Sequence, residues 1–193
     1  MKKVIDALGN EVTYGYDLAG RMESYTDQYG NTWHYDYDAE GRMTYSEDPL
    51  GSGSYTEYTN MGRTKESRNA RQIDAIALGL ITHGTLFEYD AAGRTKKVTD
   101  VYGEYTESQY DKNGNLVKQI DKNKNEWEYR YDALNRMYES VDPLGNITTY
   151  QFDANGQCVK TISAMGSESK SEYDSMGRLK KSTDAELNET EYF

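Results

Sequence analysis

The motif Tyr16-Asp17-Leu18-Ala19-Gly20-Arg21 occurs eight times in this chain, with small variations, and its last copy spans residues 173–178. Each copy begins with an aromatic residue: Tyr16, Tyr37, Tyr58, Tyr89, Tyr110, Tyr131, Phe152 and Tyr173. Successive aromatics are 21 residues apart, except for one interval of 31 residues after Tyr58. A fixed period of this length predicts a repeat array, in which each repeat packs mainly on its neighbours.

The motif itself predicts a tight turn. With the opening aromatic as position 1, position 2 is Asp in every copy except Thr59, and position 5 is Gly in every copy except Asn135. An aspartate carboxylate accepts backbone N–H groups, and a glycine three residues later takes a positive φ without steric penalty. Asparagine tolerates the same backbone conformation, so Asn135 supports the turn.

A second Asp-x-x-Gly turn is predicted at positions 12 to 15, in five places: Asp6–Gly9, Asp27–Gly30, Asp48–Gly51, Asp100–Gly103 and Asp142–Gly145. Two turns about ten residues apart leave two segments of about six residues, which is a usual strand length. In the segment before the first turn, Trp33, Tyr35 and Tyr37 alternate with polar residues, as on one face of a strand. Each repeat is therefore predicted to be a β-hairpin.

The predicted fold class is all-β: an array of about eight 21-residue hairpin repeats in one continuous curved antiparallel sheet, with one insertion of about ten residues. Rings at equal register in successive hairpins are expected to form ladders. The second segments place charged side chains such as Lys118 between apolar ones. The pattern does not decide which face of the sheet these lysines occupy.

Arginine follows the first turn in six copies: Arg21, Arg42, Arg63, Arg94, Arg136 and Arg178. One interpretation is a row of charges for an acidic ligand. The other is an ion pair with a turn aspartate of the same or the next repeat. The second is favoured, because an aspartate precedes nearly every one of these arginines by four residues; such exposed pairs contribute about 0–1 kcal/mol each.

Composition excludes several classes of function. The net charge of −11 argues against nucleic-acid backbones and anionic membrane surfaces as partners. Cys158 is the single cysteine, so neither an intrachain disulfide nor a cysteine metal cluster is expected. Hydrophobic residues make up 36% of the chain, and the 19 tyrosines supply much of its apolar area.

The domain prediction is a single repeat array over residues 1–193, with partial repeats at both ends and an insertion at about 69–82. The chain is thus expected to be a piece of a longer array. Within the insertion, Ile73, Ile76 and Leu80 follow helical spacing after Asn69, a candidate N-cap. The alternative is an elongated hairpin that bends at Gly79. Its expected role is a surface loop packed on the array, and the alternative is a plug or a partner-binding element.

The phrase Tyr-Asp-x-x-Gly-Arg at this spacing resembles the RHS or YD-repeat family over essentially the whole chain. The motif residues that carry the resemblance are Tyr16, Asp17, Gly20, Arg21, Tyr37, Asp38, Gly41, Arg42, Tyr89, Asp90, Gly93, Arg94, Tyr131, Asp132, Arg136, Tyr173, Asp174, Gly177 and Arg178. The resemblance implies a long sheet that spirals into a hollow shell. Such shells enclose a toxic domain in bacterial polymorphic toxins and toxin complexes, and related shells occur in teneurin-type adhesion proteins. It also implies a secreted or cell-surface location.

No motif for catalysis is recognisable. His34 and His83 are the only histidines, and no catalytic triad, zinc spacing or phosphate-binding loop is present. The segment Asp48–Gly51 is similar to the family's aspartate-proline cleavage motif, but its place at the second turn favours an ordinary turn. We therefore expect no enzymatic activity, no cofactor and no metal.

The expected function is a structural segment of a wall that encloses or presents a toxin or effector domain. The alternative is a surface adhesion module that binds carbohydrate or protein, with Trp33 and Trp127 as the ligand-facing aromatics. Expected partners are the remainder of the same polypeptide and other copies joined end to end through unpaired strand edges. Nucleic acid and membranes are not expected partners.

Overall fold

The computed structural model describes all residues, 1–193, and contains eighteen β-strands and one short helix. The elements are β1 (Lys2–Ile5), β2 (Glu11–Tyr16), β3 (Met22–Thr26), β4 (Thr32–Tyr37), β5 (Met43–Glu47), β6 (Gly53–Tyr58), β7 (Thr64–Arg68), α1 (Ala70–Ala77), β8 (Thr85–Tyr89), β9 (Thr95–Thr99), β10 (Tyr105–Tyr110), β11 (Leu116–Ile120), β12 (Glu126–Tyr131), β13 (Met137–Val141), β14 (Ile147–Phe152), β15 (Cys158–Ile162), β16 (Glu168–Tyr173), β17 (Leu179–Thr183) and β18 (Glu189–Glu191). The prediction of an all-β array of antiparallel hairpins is confirmed.

The chain divides into two compact units, Met1–Tyr105 and Thr106–Phe193. In the N-terminal unit, strands β1 to β9 each pair antiparallel with the next strand along the chain. In the C-terminal unit, β10 to β18 do the same. Each unit is therefore a meander of consecutive hairpins.

Each repeat contains an entry strand that ends at the opening aromatic and a return strand after the first turn. The β4/β5 pair shows the register: Asp36 lies opposite Tyr45, and Tyr37 lies opposite Met43, so Thr44 is an extra residue in the return strand. The same register shift occurs before the opening aromatic of every repeat. A bulge of this kind bends the strand and redirects a side chain. The sequence period gave no sign of it.

The turns take the predicted backbone conformation. The turn glycines have positive φ angles, as at Gly41 (84°), and Asn135 has a φ of 61°. Two further residues in the second turn of their repeats also have positive φ, namely Lys124 (67°) and Leu187 (68°). The sequence did not predict these two turns, because neither contains the glycine that the pattern required.

Aromatic rings align on one face of the N-terminal unit. Tyr14 lies opposite Tyr25, which in turn lies opposite Trp33, and both ring pairs have a centroid separation of 5.3 Å. In the next hairpin Ser46 lies opposite Tyr35. The ladder is thus interrupted there, because a small polar residue occupies the return strand at the ring register.

The lysines at the third position of the return strands lie on the face opposite the ring ladder. Lys118 lies opposite Glu128 and forms an ion pair with Glu126 at 2.6 Å, whereas its neighbour Gln119 lies opposite Trp127. The same lysine–glutamate arrangement recurs in later repeats, as Lys160–Glu168 at 2.6 Å and Lys181–Glu189 at 2.7 Å. Since opposed residues on paired strands share a face, these ion pairs lie on the face opposite the ring ladder. That face also carries rings in the N-terminal unit, where Tyr45 lies opposite Asp36 and Tyr55.

No hydrophobic side chain is fully buried. Strand side chains are mostly half-buried, covered by their neighbours along and across the strands. Stabilisation therefore comes from contacts within each face and from the turns, rather than from a core between two layers.

The insertion contains a helix, which was one of the two predicted alternatives. Helix α1 contacts β6 and β7. Asn69 is its N-cap: the Asn69 side chain accepts a hydrogen bond from the Gln72 backbone, and the Gln72 side chain accepts one from the Asn69 backbone. This reciprocal capping box satisfies two backbone N–H groups at the start of the helix. The single-array domain boundaries remain a prediction.

The arginine corner as the candidate functional site

The most strongly conserved arrangement among the repeats is the first turn together with the arginine that follows it and the aromatic of the next repeat, here called the arginine corner. In the first corner, Asp17 Oδ1 accepts hydrogen bonds from the backbone N–H groups of Ala19 and Arg21, both at 2.9 Å. Asp17 Oδ2 accepts a hydrogen bond from Arg21 Nε at 2.6 Å. The carboxylate thereby fixes both the turn and the guanidinium.

These hydrogen bonds favour the charged form of the aspartate. The pKa of Asp17 is lowered from its ordinary value of 3.8, chiefly by the backbone N–H of Arg21, with further contributions from the Arg21 side chain and the Ala19 N–H. Desolvation acts in the opposite direction and is outweighed. The carboxylate is thus an acceptor committed to its own turn.

The arginine also reaches the next repeat. Arg21 Nη1 donates a hydrogen bond to the backbone carbonyl of Asp38 at 2.6 Å, and the guanidinium lies 5.1 Å from the centre of the Tyr37 ring. In return, the Tyr37 hydroxyl donates to the carbonyl of Met22 at 2.9 Å. Two successive repeats are therefore joined by an ion–ring contact and by hydrogen bonds in both directions.

The corner recurs in both units. Arg42 pairs with Asp38 at 2.5 Å and lies 4.9 Å from the Tyr58 ring; Arg136 pairs with Asp132 at 2.7 Å and lies 4.9 Å from the Phe152 ring. Ion pairs with the turn aspartate form in five repeats: Asp17–Arg21, Asp38–Arg42, Asp90–Arg94, Asp132–Arg136 and Asp174–Arg178. The structure thus contains the pairing that the sequence favoured over a free row of charges.

Repeats that lack the arginine use a shorter amide for the same link. Asn115 Nδ2 donates a hydrogen bond at 2.9 Å to Asn135 Oδ1, which lies in the first turn of the following repeat. Gln157 Nε2 donates to the carbonyl of Gly177 at 2.8 Å. The connection between repeats therefore persists without the positive charge.

One corner lacks its carboxylate. In the third copy Thr59 occupies the aspartate position, and its hydroxyl accepts a hydrogen bond from the Arg63 backbone N–H at 3.1 Å. No carboxylate contacts the Arg63 guanidinium, which lies 5.7 Å from the Tyr89 ring centre. This corner therefore differs chemically from the other five that contain arginine.

Glu66 is the most deeply buried charged residue, with 5% of its surface exposed. Its carboxylate accepts hydrogen bonds from Arg68 Nε (2.7 Å), Arg68 Nη2 (2.9 Å) and the Gly84 backbone N–H (2.6 Å). The Arg68 hydrogen bonds are the largest cause of its lowered pKa. Glu66 thus joins the two ends of the insertion. Sequence reasoning missed it, although a glutamate and an arginine two residues apart just before the insertion are a usable signal.

The two tryptophans proposed as ligand-facing residues lie in different units, Trp33 in the N-terminal and Trp127 in the C-terminal one. Both are half-buried in entry strands. A ligand-binding role for either ring remains a prediction.

Two further observations concern metal binding and membrane crossing. No group of three or more His, Cys, Asp or Glu side chains is arranged to hold a metal ion. Helix α1 has neither the length nor the apolar character needed to cross a bilayer, and it is the only helix.

Comparison with known proteins links this architecture to a family. The family model described as Teneurin YD-shell matches residues 1–148 and, in a second match, residues 57–193. A search of curated protein sequences gave no significant match.

Solved structures give the same fold. The crystal structure of TcdB2-TccC3-TEV matches with a TM-score of 0.63 and 14% identity, over 96% of this chain and 12% of that one. TcdB2-TccC3 matches with a TM-score of 0.61 and 18% identity, over 95% of this chain and 11% of that one. A Tc holotoxin pore of Photorhabdus luminescens matches with a TM-score of 0.50 and 13% identity, over 90% of this chain and 12% of that one. This chain thus corresponds to a small part of much longer polypeptides.

Proposed function

This chain belongs to the Teneurin YD-shell family, and from that premise we propose that it is a non-catalytic wall segment of a shell that encloses or presents a toxin or effector domain. The observation that carries the proposal is the arginine corner, which at the Arg21–Tyr37 joint links successive repeats through side chains on both sides. Such joints let an array grow by addition of identical repeats, which is how a wall is built.

The distribution of polar groups supports a structural rather than an enzymatic role. The turn aspartates bind the backbone of their own turns, as Asp17 and Asp132 do. The buried carboxylate of Glu66 is fully engaged by Arg68 and Gly84. These carboxylates are thus committed to holding backbone and side chains in place, which supports a structural role.

The proposal includes a toxin or effector domain as the cargo and a location outside the cell or at its surface. One structural match is a Tc holotoxin pore, which makes a toxin-bearing bacterial polypeptide the natural setting for this segment. The principal partner is then the remainder of the same polypeptide, outside the cell or at its surface. The net charge of −11 favours neither nucleic acid nor an anionic membrane as a partner.

Electron microscopy of the complete polypeptide that carries this chain tests the proposal. We expect a hollow particle whose wall contains the repeats and whose interior contains density for another domain. An extended array with no enclosed density would contradict it.

A second candidate function is carbohydrate or protein binding through the ring face. The Trp33 ring is half-buried and continues the ladder of Tyr14 and Tyr25, so part of a flat aromatic surface remains accessible. Titration with oligosaccharides while tryptophan fluorescence is recorded tests it, with Trp33→Phe and Trp127→Phe to assign the signal. The adhesion function predicts a saturable change, whereas the wall function predicts none.

We also propose end-to-end self-association of the isolated chain. All four residues of β1 and all three of β18 are exposed, and exposed terminal strands tend to pair with other strands. Sedimentation velocity at increasing concentration should show growth of higher species, and a monomer at every concentration would contradict this.

A further inference from the structure

The corner formed by Thr59 and Arg63 has an unfilled carboxylate position. In the five other arginine corners, Oδ2 of the turn aspartate lies 2.5–2.7 Å from the guanidinium. The Thr59 hydroxyl replaces only Oδ1, since it accepts the backbone N–H of Arg63 and makes no bond to the side chain. Nothing takes the place of Oδ2.

The Arg63 side chain lies closer to the next turn than Arg42 does in the preceding corner. Its Nη1 lies 3.3 Å from Met61 Sδ, a weak acceptor. A Cβ built on Gly93 would lie 1.8 Å from Arg63 Nη2, whereas at Gly62, the equivalent place in the preceding joint, the nearest Arg42 atom is 3.3 Å away. Without a carboxylate to hold Nε, the guanidinium rests against the next turn instead of being held at its own.

Arg63 lines an open groove of about 670 Å³ in the N-terminal unit, with Tyr58, Met61, Lys65 and Phe87 among its other walls. The remaining charged groups there are paired: Lys65 with Glu57 at 2.5 Å, Asp90 with Arg94 at 2.6 Å, and Glu88 with Lys96 at 3.4 Å. Arg94 and Lys96 lie outside the lining, so the carboxylates of Asp90 and Glu88 are engaged from behind the groove wall. Arg63 is therefore the one cation of the lining without a carboxylate partner, and it lies between aromatic and thioether walls.

We propose that this groove binds the side-chain carboxylate of an acidic peptide segment, with the carboxylate in the place that Asp Oδ2 occupies in the other corners. A guanidinium and a carboxylate match in geometry and form charge-assisted hydrogen bonds. The rings of Tyr58 and Phe87 suit an apolar residue beside the acidic one. The chain's net charge of −11 repels polyanions, so a single carboxylate flanked by apolar residues is the preferred ligand. This site does not depend on the proposed function.

Nuclear magnetic resonance titration of the full chain with an end-capped Leu-Asp-Leu peptide tests the proposal. We expect saturable shifts of the Arg63 side-chain N–H signals and of the backbone amides of residues 59–63. The matched Leu-Asn-Leu peptide should bind at least about tenfold more weakly, which corresponds to the loss of one charge-assisted hydrogen bond.

Two variants locate the site. Thr59→Asp supplies the missing carboxylate from within the chain, so it should weaken peptide binding by about tenfold or more while the protein melts at least as high as the wild type. Arg63→Gln should weaken binding to a similar extent, and it provides the same test if Thr59→Asp fails to fold. Wild-type affinity in both variants would overturn the proposal. Equal binding of the Leu-Asn-Leu peptide, or tighter binding of polygalacturonate than of Leu-Asp-Leu, would overturn it too.

Discussion

Arg21 and Tyr37 belong to different repeats, yet each completes the other's environment. The Arg21 guanidinium lies 5.1 Å from the centre of the Tyr37 ring, and the Tyr37 hydroxyl donates to the carbonyl of the residue after Arg21. A single repeat therefore leaves Tyr37 without its hydrogen bond to Met22 and leaves Arg21 with Asp17 as its partner but without the ring. Contacts between repeats are therefore expected to contribute to stability beside those of the turns and faces, as in other arrays without a buried hydrophobic core.

Removing the hydroxyl of an opening aromatic should lower the free energy of unfolding, and adding one should raise it. Tyr37→Phe removes the hydrogen bond to the Met22 carbonyl and should lower the free energy of unfolding by about 1 kcal/mol. Phe152 already lies under Arg136 at 4.9 Å but has no hydroxyl, so Phe152→Tyr should raise it by about 0.5–1 kcal/mol. Urea denaturation checks both, and an unchanged Tyr37→Phe variant would contradict the role of this bond.

Glu66 should contribute more to stability than any exposed carboxylate. Glu66→Ala leaves Arg68 and the Gly84 N–H without their acceptor and should cost about 2–3 kcal/mol in unfolding free energy. The matched control is Glu57→Ala, since Glu57 lies directly opposite Glu66 and pairs with the exposed Lys65. That control should cost at most about 1 kcal/mol. Equal losses in the two variants would show that burial of Glu66 has no energetic consequence.

Leu187 holds a backbone conformation that favours glycine. Its φ of 68° places it in the left-handed region, and its side chain is 77% exposed, so Leu187→Gly relieves strain at little cost in packing. We expect an increase of about 1 kcal/mol in unfolding free energy. Leu134 is a suitable control, because it is also exposed but does not have a positive φ. Leu134→Gly should be neutral or destabilising, and a higher melting temperature for both variants would refute the strain argument.

Acid should destabilise the fold through the turn aspartates. Their pKa values are lowered from 3.8 by hydrogen bonds from the turn, as for Asp17, Asp132 and Asp174. Because the folded-state pKa lies below that of the unfolded chain, the stabilisation is fully present above about pH 4 and is lost as the pH falls through the folded values. Urea midpoints measured from pH 7 to pH 2.5 should therefore be level down to about pH 4 and then decline. A midpoint that does not change down to pH 2.5 would contradict these lowered pKa values.

The sequence predicted those features of the fold that are encoded by the 21-residue period or by a turn or capping residue. The 21-residue spacing and the Asp-x-x-Gly turns led to antiparallel hairpins, and the Asn69 cap with helical spacing after it marked α1 as one of two alternatives. Lys124 and Leu187 were missed because hydrogen bonds to Asp121 and Asp184 hold those turns without glycine. The bulge beside each opening aromatic was missed because one extra residue per return strand does not change the period.

The candidate site was only partly predictable. The pairing of Arg21 with Asp17 follows from their spacing, since four residues across a tight turn bring the two side chains together. The contact of Arg21 with Tyr37 depends on how neighbouring strands are placed, which no local pattern encodes. Likewise, the loss of the aspartate at Thr59 was visible in the sequence, but the charge left on Arg63 became evident only from the pairing of the groups around it.

A double-mutant cycle on Arg21 and Tyr37 tests most directly the claim that successive repeats are joined through the arginine corner. The unfolding free energies of the wild type, Arg21→Ala, Tyr37→Ala and the double variant give the coupling between the two side chains. The account predicts a favourable coupling of about 0.5–1 kcal/mol for a guanidinium over a half-exposed ring. A parallel cycle of Tyr37 with Lys3, which lies three strands away in the same unit, should be additive. Additive losses for Arg21 and Tyr37 would contradict the claim.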